Sequence, residues 1–299
     1  MKTLIVVVGP TAIGKTATAI KIAQHFETEV LSCDSRQFYK ELNIGVARPS
    51  EEELATVQHH FIANTSIQDS YNVFTYEQEA MQVLETLFQK HDKVVAVGGS
   101  GLYVDALCQG ITEMPDPDPE IRTMLKQQLE NEGVASLRAQ LKLLDPDYYN
   151  TVDLANPARL IRALEMCLTT GRPFSEIRNQ PNKQRPFKIV KIGLTAPRDE
   201  LYNRINQRVD TMIEMGLENE TRGLYQYKDL NSLNTVGYKE IFDYYDGKIT
   251  FDQAITDIKT HTRRYAKRQM TWLQRYDEIR WFERKKILEI LQVFKTEQY

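Results

Sequence analysis

Three short apolar runs punctuate the first hundred residues: Leu4-Ile5-Val6-Val7-Val8, Glu29-Val30-Leu31-Ser32-Cys33 and Lys93-Val94-Val95-Ala96-Val97. Continuous apolar text of this length, bounded by turn signals, predicts buried parallel strands rather than half-exposed ones. The first run is followed by Ala17-Thr18-Ala19-Ile20-Lys21-Ile22-Ala23, with helical propensity and apolar residues at helical spacing. The third leads into a helix beginning near Leu102. Strands alternating with helices imply a parallel α/β sheet. The runs exit into Gly9–Thr16, Asp34-Ser35-Arg36-Gln37 and Gly98-Gly99-Ser100-Gly101. In an open sheet these exits share the carboxyl rim where ligands gather.

The pattern changes at Pro115-Asp116-Pro117-Asp118-Pro119, a hinge into helical text. Glu120 to Glu132 predicts one helix, ending at Gly133. Pro157 to Thr170 predicts another, with Asn156 as N-cap, Pro157 in the first position and Gly171-Arg172-Pro173 as the stop. Lys188 to Leu194 returns to strand character, and helices follow over Asp199–Met215, near Lys239–Tyr245 and over Asp252–Arg275. The fold expected is α/β: a P-loop, nucleotide-kinase-like parallel-sheet core over 1–114 and 186–299, with a helical insertion domain over 115–185.

Composition narrows the setting. The chain has 299 residues, 41% hydrophobic and 26% charged, ordinary for a globular protein with a full core. Cys33, Cys108 and Cys167 are far apart and odd in number, without disulfide or metal spacing, which points to a reducing cytoplasm. Leu4–Val8 is too short for a signal sequence and no run approaches a membrane span, so a cytoplasmic protein without membrane contact is expected. A net charge of −3 argues against a surface coated in nucleic acid but permits a local basic surface. From Ile258 to Tyr276 the only charged residues are the cations Lys259, Arg263, Arg264, Lys267, Arg268 and Arg275.

Gly9-Pro10-Thr11-Ala12-Ile13-Gly14-Lys15-Thr16 fits the phosphate-loop pattern of Gly, four residues, Gly, Lys and Ser/Thr, in its strand–loop–helix context. Glycines let successive N–H groups point inward, and the helix start adds partial positive charge. Lys15 supplies a mobile cation and Thr16 a hydroxyl suited to Mg2+. The loop implies a bound polyphosphate or diphosphate without saying which. The strand Lys93–Val97 ends in glycine rather than in the acid of a motor or GTPase magnesium strand, and no Asn-Lys-x-Asp sequence occurs. Both absences favour a small transferase of the nucleotide-kinase type. Asp34, just after the second strand, is either a turn residue or a carboxylate that accepts a proton or orders the metal.

Arg204 and Arg208 share a helix face, directed either to a diphosphate or to Asp199, Glu200 and Asp210. Arg264, Arg268, Thr271 and Arg275 form one stripe of the basic helix, with Arg263 and Lys267 beside it. The stripe is either a solvated face or a nucleic-acid backbone site; missing acids favour the latter. Tyr265 and Trp272 read as packing residues more readily than as base platforms. His59-His60 lacks the partners of a metal site.

Several segments taken together resemble bacterial tRNA dimethylallyltransferases, also called tRNA isopentenyltransferases. They are residues 9–16, Ser32–Tyr39, Asn43–Ser50, His59–Ile62, Val97–Tyr103, Arg159–Glu165, Val236–Glu240 and Thr262–Gln269. The likeness runs in order from residue 4 to about residue 282. Ser100 stands where that family commonly has Thr, and Cys33 where it commonly has Ala. Both substitutes are small, and Ser100 keeps the hydroxyl.

The resemblance implies transfer of a dimethylallyl group from dimethylallyl diphosphate to N6 of adenosine 37, beside the anticodon of tRNAs reading codons that begin with U. Diphosphate leaves and Mg2+ assists. The catalytic candidates are then Asp34, Lys15 and Thr16, with Thr16 on the metal. Gly9, Pro10, Thr11, Ala12, Ile13, Gly14, Lys15, Thr16, Arg204 and Arg208 form the diphosphate site, where N–H groups of residues 11–16 cradle the leaving group. Asp34 would receive the proton of a flipped adenine, with Ser35, Arg36 and Gln37 beside the base and Gln37 suited to bidentate contact. Ser100, Arg122, Ala158, Arg159, Leu160, Ile161, Arg162, Arg264 and Arg268 complete the contacts to a tRNA anticodon stem-loop. The protein is expected to be a monomer. An adenylate isopentenyltransferase or a small nucleotide kinase on the same core is the alternative.

Overall fold

The computed structural model of the chain describes residues 1–116, 118–178 and 183–296; Pro117 of the proline run lies outside them. Among the described residues six strands form one parallel sheet in the order β3-β2-β4-β1-β5-β6. They are β1 (Thr3–Val8), β2 (Val30–Ser32), β3 (His59–His60), β4 (Lys93–Gly98), β5 (Lys188–Thr195) and β6 (Arg280–Glu283). The chain forms two compact units, 1–109 with 184–299, and 110–183.

The sheet belongs to the first unit, with α1 (Lys15–His25), α2 (Glu51–Thr56), α3 (Val73–Lys90) and α4 (Gly101–Gln109). β1 is central, which is why all six of its residues are buried and apolar or small. Ile5, Val7, Val95 and Ile192 join Ile22 and Ala23 of α1 in one hydrophobic layer. Leu4, Val6, Val94 and Ala96 join Tyr76, Leu84 and Leu107 of α3 and α4 in the opposite layer. Each fully buried Val, Leu or Ile contributes about 1.5–3 kcal/mol, so two-sided burial holds these short strands. The register pairs Val8 with Gly98 and Ser32 with Val97, so β1, β2 and β4 end side by side.

β3 and β6 were not foreseen from the sequence. They are edge strands; β3 is two residues long, and Arg280 and Glu283 at the ends of β6 are exposed, so neither carries an apolar run. The histidines of β3 serve locally: His59 Nδ1 lies 2.7 Å from the Val57 carbonyl and His60 Nε2 2.7 Å from Glu29.

The second unit contains α5 (Pro119–Glu132), α6 (Val134–Leu144), α7 (Pro146–Tyr149), α8 (Pro157–Thr170) and α9 (Phe174–Arg178). The caps of α8 match the sequence: Asn156 accepts from the Arg159 N–H, and Gly171 ends the helix at φ 68°. Leu125, Leu137, Leu141, Leu160 and Leu164 form the core of this unit. Two acids are fully buried in it. Asp145 accepts from the N–H of Tyr148 and from both the N–H and hydroxyl of Ser175, while Glu165 takes a two-pronged contact from Arg122.

The chain then returns through β5 to α10 (Arg198–Glu214), α11 (Leu217–Leu224), α12 (Tyr238–Tyr245), α13 (Phe251–Leu273) and α14 (Ile287–Thr296). Among the described residues, no helix is long and apolar enough to cross a membrane.

Candidate active site

The loop between β1 and α1 turns on three residues with positive φ: Gly9 at 151°, Ala12 at 63° and Gly14 at 103°. Gly9 and Gly14 adopt these angles at little cost, whereas Ala12 in the left-handed region costs about 1–2 kcal/mol. The Arg204 guanidinium of α10 holds this strained residue, its Nε–H donating to the Ala12 carbonyl at 2.8 Å. Neither Asp199, Glu200 nor Asp210 takes Arg204: Glu200 pairs with Arg284 and Asp210 with Lys259. Lys15 curls back to donate to the Pro10 carbonyl at 2.9 Å.

One expectation changes here. Among residues 11–16 the Thr11 N–H donates to Gln269 Oε1 at 2.8 Å and the Ile13 N–H to the Pro10 carbonyl at 3.4 Å. Two of the six amides are therefore engaged within the protein.

The loop opens on a cleft with two lobes. The smaller, about 400 Å³, is lined by Thr11, Ala12, Gly14, Lys15, Thr16, Arg204 and Arg208 together with Gln37, Arg48 and Gly98. The larger, about 620 Å³, is lined by Ser35, Arg36, Lys239, His261, Arg264 and Arg268 among others, with Ile205, Val209, Met212 and Ile258 supplying apolar wall. Thr11, Asp34, Val46, Ala47, Arg208 and Tyr265 line both lobes. Asp34 thus stands where the chamber lined by the phosphate loop meets a wider one.

Asp34 is also a turn residue. Its Oδ1 accepts from the N–H of Arg36 at 2.8 Å and of Gln37 at 3.3 Å, which fixes the carboxylate and leaves Oδ2 without a hydrogen bond among the described residues. The turn reading of Asp34 is thus observed. Around it the charge is positive. Burial, and next the neighbouring Arg208 guanidinium, push the Lys15 ammonium down to about 7, while the Asp34 charge opposes the shift. Burial likewise lowers Arg208 from its ordinary value. An anion in the smaller lobe would relieve both cations.

β4 delivers no acid for a steric reason. A Cβ at Gly98 would lie 2.4 Å from the Cys33 carbonyl oxygen, so the approach of β2 requires glycine there. Next along, Ser100 accepts the Ser35 N–H at 3.1 Å and donates to the Ser35 hydroxyl at 3.1 Å. Burial raises the Tyr265 phenol to about 12, and Ser100 is its hydrogen-bond partner.

The other expected residues divide. Arg264 and Arg268 are exposed on α13, line the larger lobe and have no carboxylate partner among the described residues. Lys259 and Arg263 of the same helix bind Asp210 and Asn206 instead. Arg36 bonds the carbonyls of Ser35 and Asn231. Gln37 is less available than expected: its amide donates to the carbonyls of Val46 and Ala47 and accepts from Ser32. Bidentate contact with a base would require breaking that set.

Within the second unit, Ala158 and Arg159 are exposed and Arg162 is half-buried. Leu160 and Ile161 are core residues whose side chains offer nothing to a ligand, because the inward stripe of α8 falls on them. Arg122 and Arg162 both lean on buried Glu165.

Sequence reasoning missed Gln269, and Tyr265 faces the cleft where packing was expected. The only sequence signal was position: both fall on the α13 face that carries no cation stripe. Trp272 does pack, its indole N–H donating to Asp105 at 3.1 Å and its ring filling the space a Cβ on Gly101 would occupy.

Among the described residues no group of three or more His, Cys, Asp or Glu could hold a metal ion. Thr16 lines the smaller lobe, and its hydroxyl has no hydrogen-bond partner among the described residues. That donor set suits Mg2+ only when substrate oxygens and water complete the shell, which is the ordinary behaviour of this ion with phosphates.

A parallel sheet with a phosphate loop after β1, a fixed carboxylate after β2 and a cleft joining them defines a phosphate-loop transferase. The comparisons with known proteins narrow that class. The IPP transferase family matches residues 37–276. The tRNA dimethylallyltransferase of Christiangramia forsetii is 54% identical over 280 residues, 94% of this chain and 93% of that protein. The crystal structure of full-length tRNA isopentenylpyrophosphate transferase from Bacillus halodurans is 36% identical, with TM-score 0.73, covering 99% of this chain and 96% of that one. A eukaryotic dimethylallyltransferase captured acting on tRNA is 26% identical, with TM-score 0.77, covering 95% of this chain and 74% of that one. The chain belongs to the IPP transferase family.

Proposed function

We propose that this chain transfers a dimethylallyl group from dimethylallyl diphosphate to N6 of adenosine 37 in tRNAs that read codons beginning with U. The position of Asp34, at the junction of the lobe lined by the phosphate loop and the wider lobe, carries this reading. The family and its tRNA-modifying relatives support the same substrate.

The diphosphate occupies the smaller lobe against Lys15, Arg208 and the amides of Ala12, Gly14, Lys15 and Thr16. Arg204, which also lines this lobe, holds the loop through the Ala12 carbonyl. The Thr16 hydroxyl would hold a Mg2+ ion bound with the diphosphate, and that ion would supply neutralising charge for the departing group. The adenine leaves its stack and enters the wider lobe, since N6 within a stem-loop cannot otherwise reach a carboxylate set inside the cleft. The N6 lone pair forms the bond to C1 of the donor as the C1–O bond breaks, and that electron pair leaves with the diphosphate. The proton from N6 passes to the Asp34 carboxylate, whose Oδ2 has no competing hydrogen bond among the described residues. Ser35 and Ser100 flank the base, Gln37 braces the 46–47 backbone, and Arg36 frames the entrance.

Arg264 and Arg268 bind the tRNA backbone, where exposed cations without acidic partners gain by releasing counterions. In the insertion, residues 110–183, Arg122, Arg159 and Arg162 with the backbone of Ala158, Leu160 and Ile161 complete the contact. On this reading every reacting group comes from one chain, and the active unit is taken as a monomer acting on cytoplasmic tRNA.

Asp34→Asn tests the assignment. Transfer of labelled prenyl to an anticodon stem-loop is expected to fall at least a thousandfold while stem-loop binding stays within threefold. Normal turnover would sink the role of Asp34. A competition between AMP and tRNA for labelled donor separates the small-molecule alternative, with label expected only in tRNA.

A further inference from the structure

Gln269 is a neutral side chain, about 6% exposed, on the helix that otherwise presents Arg264, Lys267 and Arg268 to solvent. A buried primary amide costs stability unless both its ends are bonded. Here both are, and both partners are backbone. Gln269 Oε1 accepts the Thr11 N–H at 2.8 Å, and Gln269 Nε2 donates to the Gly99 carbonyl at 2.9 Å. Those two groups follow β1 and β4, neighbouring strands paired through Val8 and Gly98. Partner chemistry sets the amide orientation, since a flipped amide would face a donor with a donor and an acceptor with an acceptor.

The fit is tight. A Cβ at Gly99 would lie 2.3 Å from Gln269 Nε2, and 3.3 Å from both the Gly9 carbonyl oxygen and Lys15 Nζ. The amide of α13, the phosphate loop and the lysine that receives the leaving group thus crowd around one point. One turn before Gln269, Tyr265 lines both lobes; immediately before it, Arg268 lines the larger.

We propose that Gln269 is a positioning residue that couples the two substrates. This inference rests on the reading that α13 engages tRNA and the loop holds the donor diphosphate. When Arg264 and Arg268 take hold of the stem-loop backbone, the adjustment of α13 reaches Thr11 and Gly99 through the Gln269 amide. The loop and Lys15 are thereby set for the diphosphate. Acceptor binding tightens donor binding, and by reciprocity donor tightens acceptor.

Full-length protein, Gln269→Ala and Gln269→Glu test this. The probes are dimethylallyl thiodiphosphate, which keeps the two phosphoryl groups but leaves slowly, and an RNA anticodon stem-loop carrying adenosine 37. In the unaltered protein the stem-loop is expected to lower the Kd of the thiodiphosphate about tenfold, within the usual range of coupled sites. In Gln269→Ala that factor should fall below about twofold, with stem-loop Kd in the absence of donor within about threefold of the parent. Gln269→Glu keeps the size and the bond from Thr11 but turns an oxygen toward the Gly99 carbonyl, so coupling should be lost there too. Coupling retained in either folded variant, or absent from the unaltered protein, overturns the proposal. Failure of the unaltered protein to prenylate the same stem-loop would instead overturn the functional reading.

Discussion

Binding of diphosphate is expected to draw a proton onto Lys15, and Lys15→Arg to abolish that uptake. Burial and the Arg208 charge hold the free Lys15 ammonium at about 7. A bound diphosphate supplies compensating negative charge and returns the lysine toward its ordinary value near 10.4. The bound state then carries more protons than the free state, so affinity falls as pH rises above 7. The uptake should be about 0.1 proton at pH 6, about 0.5 at pH 7 and about 0.9 at pH 8. Arginine stays charged throughout, so the variant contributes none. Diphosphate titrates in the same range, which makes the difference between parent and variant the quantity to read. Isothermal titration in buffers of different ionisation enthalpy gives the proton count, and the parent Kd should weaken against the variant by about tenfold in all between pH 6 and 8. Equal proton counts at pH 8, or a flat Kd ratio between pH 6 and 8, would refute the environment described for Lys15.

Three further outcomes follow from the same geometry. Arg208→Met removes the neighbouring charge that helps depress Lys15, so the uptake window should move to higher pH, while loss of a charge-assisted contact raises the donor KM about 10- to 100-fold; steady-state kinetics over pH 6–9 read both. Gly98→Ala drives a methyl into the Cys33 carbonyl and should cost on the order of 1–3 kcal/mol or more, seen as a lower urea midpoint with unchanged slope. Arg264→Gln and Arg268→Gln should each lower the salt dependence of tRNA binding by about one charge without altering donor KM, measured by filter binding between 50 and 200 mM salt. An unchanged salt slope would place those arginines off the RNA.

The fold was legible where burial is two-sided. β1 and β4 are near-continuous apolar runs, and β5 an apolar run interrupted by Lys191, because both faces of the sheet are covered, and such runs are visible in one dimension. α8 was legible because its caps are local, Asn156 and Gly171 acting on their own helix. β3 and β6 were not, since edge strands with polar ends carry no such run. The candidate site divides similarly. Gly9, Gly14, Lys15 and Thr16 lie within eight residues and announce themselves by spacing, whereas Arg204 and Arg208 stand out only as two cations on one helix face, and which of them touches the loop is seen only from the Arg204 contact with Ala12.

By itself the sequence determined the strand–loop–helix unit, the acid after the second strand and the acid-free basic segment from Ile258 to Tyr276, because each depends on residues adjacent in the chain. Only tertiary structure decided how these parts meet. Asp34 stands between two lobes because β1, β2 and β4 end in register. Gln269, 258 positions away from Thr11, completes the phosphate loop because α13 crosses the strand exits. The charge of Lys15 is likewise a property of the packed site, set by burial and by an arginine from another helix, and no spacing along the chain encodes it.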